Sequence, residues 1–150
     1  MSYSTTSSST FSGSSGTQLA AGRRKVRFAA VLAGLALNLC YLLVVTKIAG
    51  YDLKVPEVMG QPAHSVDLPS VIGASLVAPL VGWGVLALLE RVAPRRAAVI
   101  WGVLAIVVLI AGLPWAQPGI TTGNRLLLGG MHLIVGLAVI PAFLRTSPAR

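Results

Sequence analysis

Residues 126–144 read LLLGGMHLIVGLAVIPAFL, nineteen residues without one Asp, Glu, Lys or Arg. A helix of that length rises about 28 Å, close to the ~30 Å hydrocarbon core of a bilayer. The run therefore reads as a membrane-spanning helix. Within and just before it, Arg125, Gly129, His132, Gly136 and Ile140 recur at steps of three and four, which sets them on one helical stripe. Glycines on either side of His132 let a neighbouring helix approach closely, so the histidine is expected to face protein rather than lipid.

Three further apolar runs precede this one, at about residues 28–48, 68–89 and 97–116. Each approaches or exceeds the ~18 apolar residues that mark a span. Small residues recur at four-residue steps on the first (Ala30, Gly34, then Asn38) and the second (Ala74, Ala78, Gly82), the usual means of close helix packing in lipid. Only about seven residues join the second and third runs, which makes them antiparallel neighbours. The connection between the first two carries Gly50, Gly60, Pro56 and Pro62 and is expected to be irregular. The expected fold is an all-α membrane protein: a bundle of four transmembrane helices, up-down-up-down.

Composition agrees. Of 150 residues, 55% are apolar and 11% charged, with a mean hydropathy of +0.79. A soluble domain carries about a quarter charged residues, so a soluble enzyme with its own core is excluded. One cysteine, Cys40, excludes a disulfide scaffold and a membrane thiol–disulfide exchanger. Residues 2–17 hold twelve Ser or Thr, so residues 1–22 read as a disordered Ser/Thr-rich cytoplasmic tail, with 23–150 forming the transmembrane domain.

The net charge of +8 would point to nucleic acid in a soluble protein. Here the basic residues flank the apolar runs, where they meet lipid headgroups, and no nucleic-acid partner is expected. Nine of the twelve fall on one side: Arg23, Arg24, Lys25 and Arg27 before the first run, Arg91, Arg95 and Arg96 after the second, and Arg145 and Arg150 after the fourth. Lys47, Lys54 and Arg125 fall on the other. The positive-inside rule then places both termini in the cytoplasm of a plasma (inner) membrane protein. The first run is too long for a signal-peptide core, and Lys47 stands where a cleavage site needs a small residue, so it is read as uncleaved.

Catalytic and metal chemistry find no foothold. Two histidines, one cysteine and four carboxylates are scattered without ligand spacing, so no metal, cofactor or enzymatic activity is expected. No acid or base lies deep in a run. Small multidrug transporters need a carboxylate inside the first span, where this chain has Asn38. Glu90 sits at the end of the second run beside Arg91 and reads as one half of an interfacial ion pair. His64 reads as solvated, Trp83 and Trp101 as packing residues, and Trp115 as an interfacial anchor.

The uncharged polar residues form the candidate site. Counted from the outer face, Asn38, Tyr41, Ser75 and His132 fall roughly 9–15 Å deep. Pro79 adds to that layer, because it cannot donate to the Ser75 carbonyl. Two readings stand: interhelical hydrogen-bond glue, or a small outward-facing pocket in which His132 titrates near neutral pH.

The stretches LALLER (86–91) and GMHLIVGLAVIPAF (130–143), with the basic flank before the first run, carry a resemblance. Over about residues 26–145 the chain resembles a family of uncharacterised four-span membrane proteins from high-GC Gram-positive bacteria. The resemblance implies a polytopic membrane protein without assigned activity. The expected role is a structural or partner-binding membrane subunit, whose partners are membrane lipid and either further copies of itself or another membrane protein. The alternative is a small transporter or sensor built around His132.

Overall fold

The computed structural model of the chain describes residues 13–55, 62, 64–114 and 121–147, with side chains throughout these except at 13–17, 55 and 64. In order, the elements are α1 (Gly13–Leu43) with a π-helical continuation (Val44–Ile48), β1 (Lys54–Val55), β2 (His64–Ser65), α2 (Leu68–Val92), α3 (Ala97–Ala111) and α4 (Thr122–Thr146). Three helices are long and apolar enough to cross a membrane, Gln18–Ile48, Leu68–Val92 and Thr122–Thr146; α3 is apolar but shorter.

The helix ends depart from the sequence expectation for identifiable reasons. Residues 13–22, expected in the disordered tail, are helical, while residues 1–12 lie outside the described residues. Gln18, Leu19, Ala20, Ala21, Arg23, Arg24 and Lys25 are good helix formers. They need only extend a helix that the apolar run already nucleates. At its other end the helix widens into the π turn, where Thr46 Oγ1 donates to Leu42 O at 2.8 Å. Gly50, at φ +67°, then turns the chain away in the left-handed region open to glycine.

The third run, expected over 97–116, holds a helix of only 15 residues, about 22 Å long. Gly112 caps it and Pro114 follows, so the ladder stops at Ala111. Residues 115–116, Trp115 among them, lie outside the described residues. α4 starts four residues before the apolar run, because Thr121 caps it by accepting from Asn124 N at 3.3 Å.

The first connection is more ordered than expected. β1 and β2 pair antiparallel, Lys54 opposite Ser65 and Val55 opposite His64. Ser65 Oγ donates to Asp52 Oδ1 at 2.9 Å, and Lys54 Nζ lies 3.6 Å from Asp52. Leu53, 2% exposed, plugs this segment into an apolar cluster with Leu42, Val45, Val71 and Met131.

α1 packs against α2 and α4, and α3 against the same two helices. Residue contacts show neighbours running in opposite directions. Arg27, near the start of the apolar part of α1, meets Thr146 at the end of α4, and a Cβ on Gly34 would lie 3.6 Å from Ala138. Farther along, Tyr41 meets Gly130. A second apolar cluster of Val31, Leu86, Trp101, Val139 and Phe143 fills the Arg27 end, with Trp101 Nε1 donating to Gly82 O at 2.7 Å. That bond joins α3 to α2 and satisfies the indole.

Candidate functional site

The four residues of the expected polar layer take three different places. Asn38 and Ser75 meet. Asn38 Nδ2 donates to Ser75 Oγ at 2.9 Å, both residues are buried, and the bond ties α1 to α2 between the two apolar clusters. Asn38 Oδ1 is buried without a hydrogen-bond partner. With the amide turned over, Oδ1 would accept from the Ser75 hydroxyl and Nδ2 would be the unmatched atom, so one amide atom goes unpaired either way.

This arrangement sets the order of a mutant series. Ser75→Ala leaves both amide atoms without a partner and is expected to cost about 1–2 kcal/mol. Asn38→Leu/Ser75→Ala removes the buried polar groups together and is expected to be more stable than Ser75→Ala alone. Unfolding in mixed micelles titrated with SDS reads both values. A double variant weaker than the single one would show that the pair contributes more than its own desolvation.

Tyr41, one turn beyond Asn38, faces α4 instead of α2. Gly130 makes room for it: a Cβ at that position would lie 2.8 Å from the Tyr41 hydroxyl and 3.2 Å from its ring. The close approach expected at the glycines around His132 is found at Gly136, where an added Cβ would lie 2.8 Å from Leu109, and Gly130 is used in the same way by a tyrosine. Gly129 and Gly136 of the stripe face α3, where added Cβ atoms would meet Leu113 and Leu109.

His132 lies on that same seam between α3 and α4 and does not join Asn38 and Ser75. Its Nδ1 donates to Leu128 O of its own helix at 3.0 Å, and its far edge approaches Gly112, the residue that ends α3. Because α3 stops there, no further helical turn covers the ring, and His132 is exposed. The side chain of His64 lies outside the described residues. Among the described residues no three His, Cys, Asp or Glu side chains gather as a metal site would require.

The most connected polar group is one that the sequence reading assigned to the headgroup layer. Arg27 is 4% exposed and joins three helices. Its Nη2 donates to Glu90 Oε1 of α2, and its Nη1 reaches Oε2 at 3.3 Å. On α4, Nε donates to Thr146 Oγ1 at 2.9 Å and Nη2 to the Thr146 carbonyl at 3.2 Å. The guanidinium also lies over the Phe143 ring, 5.8 Å from its centroid. Glu90 therefore pairs with Arg27 and not with Arg91. Consecutive residues on a helix point about 100° apart, so Arg91 turns outward as Glu90 turns in. A buried charge of this kind is tolerated because the fork is matched to a carboxylate, a hydroxyl and a carbonyl.

Phe143 lies at the centre of this end. Trp83 meets it edge-on at 6.2 Å between centroids and Trp101 tilted at 5.3 Å. Thr146, which receives Arg27, donates back along its own helix to Ala142 O at 2.8 Å. The site is thus a clamp of one cation, one anion, a hydroxyl and three aromatic rings at the meeting point of helix ends.

No curated protein and no solved structure matches the chain. Residues 18–149 match the model of DUF6069, a family of unknown function, and since that match covers most of its length the chain belongs to that family.

Proposed function

We propose that the protein is an integral membrane protein of four spans, up-down-up-down with both termini cytoplasmic. In this reading it works in the plasma membrane of a high-GC Gram-positive bacterium as a structural or partner-binding subunit and not as an enzyme. One observation carries the role: among the described residues, the buried side chains of Arg27, Asn38 and Ser75 are taken up in joining helices, while the buried Asn124 joins none and its Oδ1 is unpaired. Arg27 holds Glu90 and Thr146, Asn38 holds Ser75, and Trp101 holds Gly82. Polar groups used this way stabilise an assembly and leave little to present to a substrate.

Further support comes from the surface. Large apolar side chains face outward on all four helices, Leu37 on α1, Val77 and Leu88 on α2, Val103 and Val107 on α3, and Leu133 and Leu137 on α4. Such a surface belongs in lipid or against another membrane protein. In this reading α3, shorter than the hydrocarbon thickness, spans by local thinning of the bilayer or with help from the residues that follow it. Orientation follows from the basic residues, which collect at the end where Arg27, Glu90 and Thr146 meet. The alternative of a transporter or sensor around His132 draws less support, because that ring bonds its own helix away from the Asn38–Ser75 pair.

Native mass spectrometry of the tagged chain, extracted in mild detergent from its own host, tests the role. The expected result is a homo-oligomer or a complex with a whole second polypeptide, unchanged by His132→Ala. A discrete small added mass that His132→Ala removes would overturn it in favour of a ligand-binding pocket.

A further inference from the structure

We propose that the end of the molecule around the α2–α3 turn is a binding surface for anionic phospholipids, held through their headgroup phosphates. This rests on the membrane reading above and names the class of lipid that the protein would select.

The argument starts from the ion-pair inventory of that end. Arg91, Arg95 and Arg96 surround the turn, Arg23, Arg24 and Lys25 stand on α1 just before Arg27, and Arg145 precedes Thr146 on α4. All seven are exposed. The sequence places a single acid at this end, Glu90, since Asp52, Glu57 and Asp67 all lie in the connection at the opposite end. Glu90 is already held by the buried guanidinium of Arg27. Among the described residues, therefore, no carboxylate remains to neutralise the seven exposed cations. The burial of Arg27 matters because it takes up the only acid without adding a positive charge to the surface.

Two further features choose the partner. Six of the seven cations are arginines, whose planar fork matches two phosphate oxygens at once. Directly beside them, Val26, Phe28 and Val92 are exposed, 49%, 52% and 75% respectively. A phosphate headgroup on the arginines would leave its acyl chains against these apolar side chains. A polynucleotide offers the same phosphates but nothing to cover them. Juxtamembrane basic clusters of this size are attracted to anionic leaflets in the same way.

The test uses the full chain in mild detergent, titrated with phosphatidylglycerol or phosphatidylcholine and read by native mass spectrometry. Phosphatidylglycerol is expected to bind more tightly than phosphatidylcholine. Arg95→Gln/Arg96→Gln is expected to weaken phosphatidylglycerol binding on the order of 25-fold, about fivefold for each cation removed. Lys47→Gln/Lys54→Gln, the same loss of charge at the other end, should leave it unchanged. Equal binding of the two lipids, or equal losses from the two variant pairs, would overturn the proposal. So would a single-stranded oligonucleotide that displaces phosphatidylglycerol. Recovery of the chain outside the membrane fraction would defeat the membrane reading itself, whereas an inserted chain with no lipid preference defeats this proposal alone.

Discussion

Glu90→Ala is expected to destabilise the packed helices by about 3 kcal/mol in SDS-titrated mixed micelles, the low end for removing one partner of a buried ion pair. The low end applies because the Glu90 side chain is 21% exposed and water shares its charge, while that of Arg27 is only 5% exposed. Most of the loss comes from Arg27. Without the carboxylate its guanidinium keeps the two bonds to Thr146 and the Phe143 face, but its charge stays buried without a counter-ion. Arg27→Met/Glu90→Leu removes both charges and is expected to recover most of the stability, since well-packed apolar replacements of buried pairs are often neutral. Arg91→Ala, on the outward side of the same turn, should change stability by less than about 0.5 kcal/mol. If Arg91→Ala matched Glu90→Ala, the pairing would be wrong.

The apolar runs were legible because a long stretch without charge, of a length that can cross a membrane, must satisfy its backbone internally, and a helix does so. That rule is silent on which way a side chain points around the helix, and the misreadings came from there. Counting depth set Asn38, Tyr41, Ser75 and His132 in one layer, yet they face three different neighbours. Asn38 turns to α2, Tyr41 to α4, and His132 to the seam with α3. His132 is uncovered for a second reason, since Gly112 and Pro114 end α3 early and the third run was expected to continue. For Arg27 and Glu90 the signal was present and unused. Adjacent residues cannot face each other on a helix, so Glu90 needed a partner other than Arg91. Antiparallel neighbours bring the start of the first run beside the end of the second, and Arg27 is the basic residue nearest that run. The early start of α1 was illegible from composition, because Ser, Thr and Gly dominate residues 2–17 and the helix formers begin only at Gln18.

Phe143→Ala is expected to cost about 2 kcal/mol, roughly half of what the same change costs in a soluble core. The reduction has a physical cause. In water, part of the penalty is the lost transfer of a benzyl group from solvent. In a bilayer the separated helices already hold Phe143 in an apolar medium, so the remaining term is the cavity and the lost contacts. That term is large here, because Phe143 is fully buried and lies against Trp83, Trp101 and the Arg27 guanidinium. Leu137→Ala on the same helix is the control: Leu137 is 73% exposed, in the proposed membrane setting its surroundings are lipid in either state, and almost no change is expected. Equal losses from the two substitutions would mean that Phe143 contributes no more than a lipid-facing residue. The ion pair sharpens the test. Phe143 and Glu90 both act on Arg27, one through its face and the other through its N–H fork, so each substitution removes part of what the other would disturb. Glu90→Ala/Phe143→Ala is therefore expected to cost at least 0.5 kcal/mol less than the sum of the single variants, the coupling seen between residues that share a contact. Strict additivity would mean that the aromatic cluster and the ion pair hold this end of α4 independently of each other.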